Sequence, residues 1–277
     1  MSWKCKLARL TQMQKPKIII LVAIIASCSG VASSQNSARE ELVERRDLQL
    51  FLLIGQSNMA GRGKIEPSDR EVIPQVFMLN KEMVWVPAVD PLHFDKPAIA
   101  GVGLGRAFAK VLVAANPSVT IGLIPAAFGG TSLEQWKPGD QLYQNAVRRA
   151  LQAMNSGTLR GILWHQGESD AETKELAISY PKRFVEFIGR IREDLGLPNV
   201  PVIVGQLGEF YQAPFADLMN EQLALMPLRV PHCGFVSSAG LTHKGDHVHF
   251  DTPSVREFGR RYGFAFLGLD PSWTSLH

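Results

Sequence analysis

The stretch that decides the fold reads LQLFLLIGQSNMAG and spans residues 48–61. Its first seven residues are almost all apolar, and the run ends at Gly55. A short apolar run that stops at a glycine is typical of a β-strand buried on both faces of a sheet. The polar residues that follow predict a tight turn into a helix, with the hydroxyl of Ser57 exposed on that turn. The alternative is an ordinary turn in which Ser57 or Asn58 only caps the helix.

Similar apolar runs recur along the chain, at 119–125, 161–164, 200–205 and, more weakly, 235–238. Amphipathic stretches between them predict helices at 103–115, 143–154, 171–195, 214–226 and 252–266. Short strands that alternate with helices favour an α/β fold, a three-layer α/β/α sandwich with a central, mainly parallel sheet. Because ligands of such sheets bind beyond the carboxyl ends of the strands, we expect a site in the turns that follow them. Residues 62–100 contain five prolines and predict an irregular excursion that helps to wall this site.

The N-terminus differs in composition from the rest of the chain. Five basic residues precede an apolar run at 18–26, and small and polar residues follow it. This order is typical of a secretory signal, and the run is shorter than the roughly 20 residues that span a bilayer. An uncleaved anchor and a lipoprotein leader remain as alternatives, the latter because residues 25–28 resemble a lipobox ending at Cys28. We therefore predict a leader at 1–34, a single domain at 35–277, and a secreted or cell-envelope protein that contacts a membrane only through its leader.

The charge of the predicted mature domain excludes one class of partner. The whole chain has a net charge of +3, but without residues 1–34 it has 24 basic against 26 acidic residues. Such a domain has no charge-based reason to bind nucleic acid. Cys233 is the one cysteine outside the predicted leader, so no internal disulfide is expected. It reads as a small buried hydrophobic residue.

A second polar cluster, GDHVHF at residues 245–250, lies near the C-terminus. Asp246 and His249 are three residues apart on one short loop, so both can face a single point. A carboxylate placed in this way orients an imidazole and stabilises its charged form. A serine needs such an imidazole before it can act as a nucleophile. His243 and His247 lie close by, so a metal-binding or merely polar loop is also open on this evidence.

Two further clusters follow apolar runs. WHQGESD at 164–170 is too polar for a strand interior and marks a strand end, where the Gln166 amide could donate to an oxyanion. AFGGTS at 127–132 contains paired glycines that let backbone N–H groups approach a ligand closely. An ordinary glycine turn is the alternative for each cluster.

Taken together and in this order, the four clusters resemble the SGNH hydrolase superfamily. The resemblance is to its sialate O-acetylesterase-like branch, which is related to carbohydrate esterase family six, and it covers residues 48–267. It implies a flavodoxin-like SGNH hydrolase fold and needs no metal or other cofactor. It implies Ser57 as nucleophile, His249 as general base and acid, and Asp246 as the group that orients His249. The implied oxyanion hole consists of the Ser57 N–H, the Gly130 N–H and the Gln166 side chain.

Other residues of the same clusters are expected to support these groups: Gln56, Asn58, His165 and Glu168. Glu168 competes with Asp246 for the role of orienting His249. A second set of glycines, at 101, 103 and 105, competes with Gly130 for the backbone donor.

The resemblance implies a serine esterase that removes acetyl groups from carbohydrates of the acetylxylan or sialate type. A general short-chain esterase or lipase, a non-catalytic glycan-binding protein, and a metal hydrolase built on the histidines of 243–249 are the alternatives. Trp85, Trp136 and Trp164 are expected either to stack on sugar rings or to belong to the core.

Overall fold

Strand β1 (Leu48–Gly55) lies at the centre of the sheet because both of its faces are apolar. Successive side chains of a strand point to opposite faces. Leu50 and Leu52 therefore enter one hydrophobic core, whereas Phe51 and Leu53 enter a second core on the other face. The computed structural model describes residues 47–276, and the predicted leader at 1–34 lies outside that range.

Seven strands form one sheet in the order β3-β2-β4-β1-β5-β6-β7. All neighbouring pairs are parallel except β2 and β3, which are antiparallel. The other strands are β2 (Val76–Leu79), β3 (Trp85–Pro87), β4 (Ile121–Pro125), β5 (Gly157–His165), β6 (Val202–Gly205) and β7 (Cys233–Val236). The predicted mainly parallel sheet is confirmed.

The α-helices are α1 (Ser57–Ala60), α2 (Gly105–Ala115), α3 (Gln141–Ala153), α4 (Lys174–Asp194), α5 (Ala216–Ala224) and α6 (Thr252–Leu269). Short 3₁₀ helices lie at Pro67–Asp69, Leu133–Trp136, Met154–Ser156, Glu168–Asp170, Met226–Leu228 and Pro271–Ser275. Apolar side chains of α3, α4 and α5 pack into the core on one face of the sheet, and those of α2 and α6 pack into the core on the other. This is the predicted three-layer α/β/α sandwich.

The excursion at 62–100 is more regular than its prolines indicate. It contributes β2 and β3, which extend the sheet beyond β4. Strand β2 consists of four consecutive buried residues, 76–79. So short an apolar run, between Pro74 and Asn80, does not by itself predict a strand. The expectation of an irregular segment was therefore wrong for these residues, because a few β-forming side chains such as Val, Phe and Trp suffice to extend the edge of an existing sheet.

Helix α6 fixes the chain just after the C-terminal polar cluster. The Asp251 carboxylate accepts the Ser254 N–H at 2.8 Å and so caps the first turn of this helix. Further along, a Cβ at Gly259 would lie 2.2 Å from the Leu104 carbonyl oxygen, which shows how closely α6 packs against the start of α2. The loop that carries His249 is thus anchored at its C-terminal side to the body of the domain.

Between residues 47 and 276, no helix combines the length and the apolar character that crossing a bilayer requires.

Candidate active site

The turn after β1 depends on a glycine at its first position. Gly55 has φ +130°, and a Cβ there would lie 2.1 Å from the His165 carbonyl oxygen. Only glycine fits so close to the end of β5. Helix α1 then begins at Ser57. Only 6% of the surface of Ser57 is exposed. The turn that carries Ser57 is thus set by two strands, β1 and β5, that lie side by side.

Ser57, His249 and Asp246 form a continuous chain of hydrogen bonds. The Ser57 Oγ lies 3.0 Å from the His249 Nε2, and the His249 Nδ1 lies 2.7 Å from the Asp246 Oδ2. Ser57 and His249 are 192 residues apart in sequence. The arrangement can move a proton from the hydroxyl to an imidazole that is already oriented by a carboxylate.

Asp246 is held in its ionised form by its own loop. Burial alone would raise the pKa of this carboxyl group, but hydrogen bonds outweigh it and lower the pKa well below the ordinary range. The Asp246 Oδ1 accepts the N–H groups of Val248 at 3.0 Å and His249 at 2.8 Å. The carboxylate therefore fixes both the backbone and the ring of His249.

Glu168 makes no such contact with His249. Of the two acids expected to orient His249, only Asp246 is hydrogen-bonded to its ring. Its Oε1 accepts the Asn58 Nδ2 at 2.7 Å and lies 3.6 Å from the His165 Nε2. Burial would raise the pKa of Glu168, but His165 first and then Asn58 lower it, so the carboxyl group remains ionised. Glu168 supports the site through Asn58.

Asn58 connects the turn after β1 to the loop of residues 243–249, which we call the histidine loop. Its Nδ2 also donates to the Val248 carbonyl at 3.0 Å, and its Oδ1 accepts the Phe250 N–H at 3.2 Å. These two backbone groups flank His249 on either side. Because Asn58 directly follows Ser57, its side chain sets the distance between Ser57 and His249.

We expect Asn58→Ala to lower kcat/KM by about 100-fold, mostly through kcat, because a small displacement of reacting groups has an effect of that size. The measurement is steady-state hydrolysis of p-nitrophenyl acetate. Asn220→Ala is the matched control, since Asn220 binds the backbone N–H and carbonyl of Leu207 at 2.9 and 3.4 Å. Equal losses of kcat in both variants would reduce the role of Asn58 to general stability.

Backbone donors for an oxyanion lie beside Ser57. A Cβ at Gly129 would come within 3.2 Å of the Ser57 Cβ, so this loop touches the nucleophile. The Gly129 N–H itself is bound to the Asp95 Oδ2 at 2.9 Å. In the described part of the chain, the N–H groups of Ser57 and Gly130 donate no hydrogen bond. Both groups are therefore available to a ligand, and their role as the oxyanion hole stays a prediction.

The Gln166 side chain does not fit its predicted oxyanion role. Its Nε2 donates to the Thr131 carbonyl at 3.0 Å and to the Asp170 Oδ2 at 2.7 Å. Its Oε1 accepts the Tyr180 hydroxyl at 3.0 Å, and the residue is fully buried. The prediction is contradicted because both amide N–H groups are used inside the protein, where they hold the 127–132 loop against the end of β5.

The remaining predicted residues take supporting positions. The Gln56 Oε1 accepts the Ser169 hydroxyl at 3.2 Å, so it joins the turns after β1 and β5. His165 is buried, with its Nδ1 3.4 Å from the Tyr262 hydroxyl. The competing glycines at 101, 103 and 105 pack near the 61–63 segment or against leucine side chains, whereas Gly129, which precedes Gly130, adjoins Ser57.

The three tryptophans are core residues, so the sugar-stacking expectation for them is wrong. Trp136 and Trp164 are fully buried, and Trp85 is 6% exposed. Near Ser57, the ring of Phe128 is 38% exposed and so is open to ligands. Phe128 directly precedes the paired glycines, but no expectation from the sequence included it.

Arg62 and Asp95 were also missed. They form a buried ion pair at 2.6 Å, and through its bond to the Gly129 N–H this pair fixes the loop beside Ser57. Burial would raise the pKa of Asp95, but the hydrogen bond from Arg62 outweighs it and lowers the pKa. No local pattern marks Asp95 in the sequence.

The histidine loop has no metal-binding arrangement. The rings of His243 and His247 lie against each other at an angle of 33°, with their centroids 4.0 Å apart. Within the described range, no group of three His, Cys, Asp or Glu residues is placed to hold a metal ion. The alternative of a metal hydrolase therefore has no donor set in this loop.

Comparison with known proteins agrees with this geometry. Residues 47–268 match the model of the family described as carbohydrate esterase, sialic acid-specific acetylesterase. A probable carbohydrate esterase of Arabidopsis thaliana is 33% identical over 238 residues, which cover 79% of this chain and 90% of the relative.

Solved structures show the same fold. The X-ray structure of an Arabidopsis thaliana protein matches with a TM-score of 0.75 and 31% identity over 80% of this chain and 98% of the other. NanS matches with a TM-score of 0.68 and 18% identity over 83% and 99% of the two chains. A carbohydrate acetylesterase from Xanthomonas citri matches with a TM-score of 0.61 and 23% identity over 80% and 56%. The chain belongs to the sialic acid-specific acetylesterase family of carbohydrate esterases and is accordingly a carboxylic ester hydrolase.

Proposed function

We propose that this protein is an exported serine esterase that removes O-acetyl groups from carbohydrates through an acyl-enzyme. The observation that carries the proposal is the hydrogen-bonded chain from Ser57 through His249 to Asp246, with distances of 3.0 and 2.7 Å. Family membership supports the acetylesterase activity. The serine mechanism, the substrate and the location are the parts that we add.

In the first half of the reaction, the His249 Nε2 takes the proton from the Ser57 Oγ. The Oγ attacks the acetyl carbonyl carbon, and negative charge develops on the carbonyl oxygen. The unpartnered N–H groups of Ser57 and Gly130 are suited to receive that charge, and loss of one such donor costs about 3 kcal/mol in other enzymes. The sugar leaves as an alcohol after the imidazolium returns the proton to its oxygen.

In the second half, water attacks the acetylated Ser57. His249 again acts first as base and then as acid, so that acetate leaves and the serine hydroxyl is restored. Asp246 keeps the ring in the tautomer whose Nε2 can accept a proton. No step requires a group beyond these residues and water.

The proposed substrates are acetylated sugars, of the acetylxylan or the sialate type. The family is described by sialic acid-specific acetylesterase activity, and one structural relative is named an acetyl-xylooligosaccharide esterase. A general short-chain esterase or lipase and a non-catalytic glycan-binding protein are the alternatives, and no finding favours either of them.

The location rests on the N-terminal segment alone. The basic, apolar and small-residue order of residues 1–34 supports export to the periplasm or the extracellular space, and Cys28 offers a lipid attachment site. Membrane attachment would then be confined to this leader.

Covalent labelling tests the proposed mechanism. Diethyl p-nitrophenyl phosphate should phosphorylate the activated Ser57, and peptide mass spectrometry should find one added diethylphosphate on that residue. Release of acetate from acetylated xylan, O-acetylsialic acid and p-nitrophenyl acetate should fall in proportion to labelling. Acetate release that persists after complete labelling of Ser57 would contradict the serine mechanism.

A further inference from the structure

A cavity of about 670 Å³ lies beside the loop that touches the nucleophile. Ala127, Phe128 and Thr131 of that loop line it, and so does Asp95, which holds the Gly129 N–H. Because Gly129 also contacts Ser57, one loop separates the cavity from the reacting hydroxyl. A carbohydrate whose acetyl ester lies at Ser57 therefore has a neighbouring space into which its next unit can extend.

The wall of this cavity has the chemistry of a sugar site. Sugar rings present apolar C–H faces and many hydroxyl groups, and they are held by aromatic rings and amides. Phe128 supplies a ring that is 38% exposed. Gln141 and Asn145, from the first half of helix α3, supply side-chain amides. The Gln141 amide makes no hydrogen bond, and the Asn145 Nδ2 is also free, within residues 47–276.

His93 adds a buried donor to the same wall. It lines the cavity, is 3% exposed, and its Nδ1 accepts the Ala127 N–H at 3.3 Å. Burial lowers the pKa of His93 to about 3, so the ring is neutral. With Nδ1 as acceptor, the proton lies on Nε2. This N–H has no partner in the described chain, and an unpaired buried donor is unfavourable until a ligand or water accepts from it.

Two of the acids on the cavity lining are already paired, Asp95 with Arg62 and Glu134 with Lys137. Lys81 and Asp140 also line it, with opposite charges, and the Lys96 Nζ lies 5.9 Å from the centre of the Phe128 ring. No arginine among the described residues lines the cavity, so it lacks the planar fork that binds a carboxylate most specifically, which favours a neutral sugar over an acidic one.

We propose that this cavity is a subsite for a neutral sugar unit that adjoins the acetylated one, so that the enzyme acts on oligosaccharide chains in preference to single sugars. The inference rests on the proposed function, because it requires acetyl transfer at Ser57. Phe128 packs against the ring of the neighbouring unit. Gln141 and Asn145 bind its hydroxyl groups.

The test compares acetylated xylose with acetylated xylo-oligosaccharides of increasing length, and uses p-nitrophenyl acetate as a substrate without a chain. For the parent, kcat/KM should rise by about 10-fold from the single sugar to the oligosaccharide, the effect expected from two hydrogen bonds. The double variant Gln141→Leu/Asn145→Leu should lose this rise and hydrolyse p-nitrophenyl acetate as the parent does. Gln144→Leu, an exposed residue of the same helix outside this cavity, should retain the rise.

Equal kcat/KM for the single sugar and the oligosaccharide in the parent would overturn the subsite, and so would an undiminished rise in the double variant. A rise confined to acetylated chains of uronic or sialic acid would overturn its preference for neutral sugars. Failure of the parent to hydrolyse p-nitrophenyl acetate would instead reject the proposed function, and the subsite with it. The two failures are therefore distinguishable.

Discussion

Replacing Ser57 with alanine should lower kcat/KM for acetyl esters by about 10⁴- to 10⁶-fold. Without the Oγ there is no nucleophile, and His249 and Asp246 have nothing to activate. In serine hydrolases the loss of this one group removes nearly all that the triad contributes. The remaining rate should reflect binding and the backbone donors alone. Acetate release under single-turnover and steady-state conditions measures the effect.

The matched control is Ser238→Ala. Ser238 is also buried, but its hydroxyl donates to the Leu207 carbonyl at 2.7 Å. This variant should lose some stability and keep its kcat. Equal activity of the parent and Ser57→Ala would reject Ser57 as the nucleophile.

Replacing Asp246 with asparagine should lower kcat by about 10⁴-fold, the size of effect known for the orienting carboxylate of a serine triad. An amide can donate to the His249 Nδ1, which then leaves the proton on Nε2 and prevents that nitrogen from accepting the Ser57 proton. The Oδ1 can still accept the backbone N–H groups of Val248 and His249, so the loop should keep its shape. KM should change far less than kcat.

The pH profile of the parent is a second test of the role of Asp246. Because the pKa of Asp246 is lowered, its protonation falls below the range where a carboxyl group normally titrates, and its contribution is lost only at strongly acid pH. The profile should therefore contain no step from Asp246 in the assay range.

For the Asp246→Asn variant, the charge control is Asp217→Asn, which removes an exposed acid from the first turn of α5. A similar loss of kcat in this control would argue against a local role for Asp246.

The central strands and their turns could be predicted from the sequence because their signals are local. The apolar run of β1 requires burial on both faces, and Gly55 and Ser57 follow it directly. Asp246 and His249 are three residues apart on one loop, so the sequence alone indicates that they can form a hydrogen bond. The predicted helices also match α2 to α6 to within a few residues, because each has a long amphipathic pattern.

The sequence is less informative where a side chain has several partners within reach. Gln166 follows a strand and has the right donor, but Asp170 and Thr131 already accept both of its amide N–H groups. Trp136 and Trp164 are aromatic and near the site, yet their indole N–H groups bond to Thr131 and Tyr180 inside the core. Only the packing of distant segments decides between such roles.

The contact between Ser57 and His249 also determines when this protein can first act. Ser57 directly follows strand β1, and the histidine that it contacts lies 192 residues later, just before helix α6. During synthesis, a ribosome must therefore add those 192 residues before the proposed nucleophile and its base can meet. A truncated chain that ends before His249 should be inert toward acetylated glycans, so hydrolytic activity reports that synthesis has passed this loop.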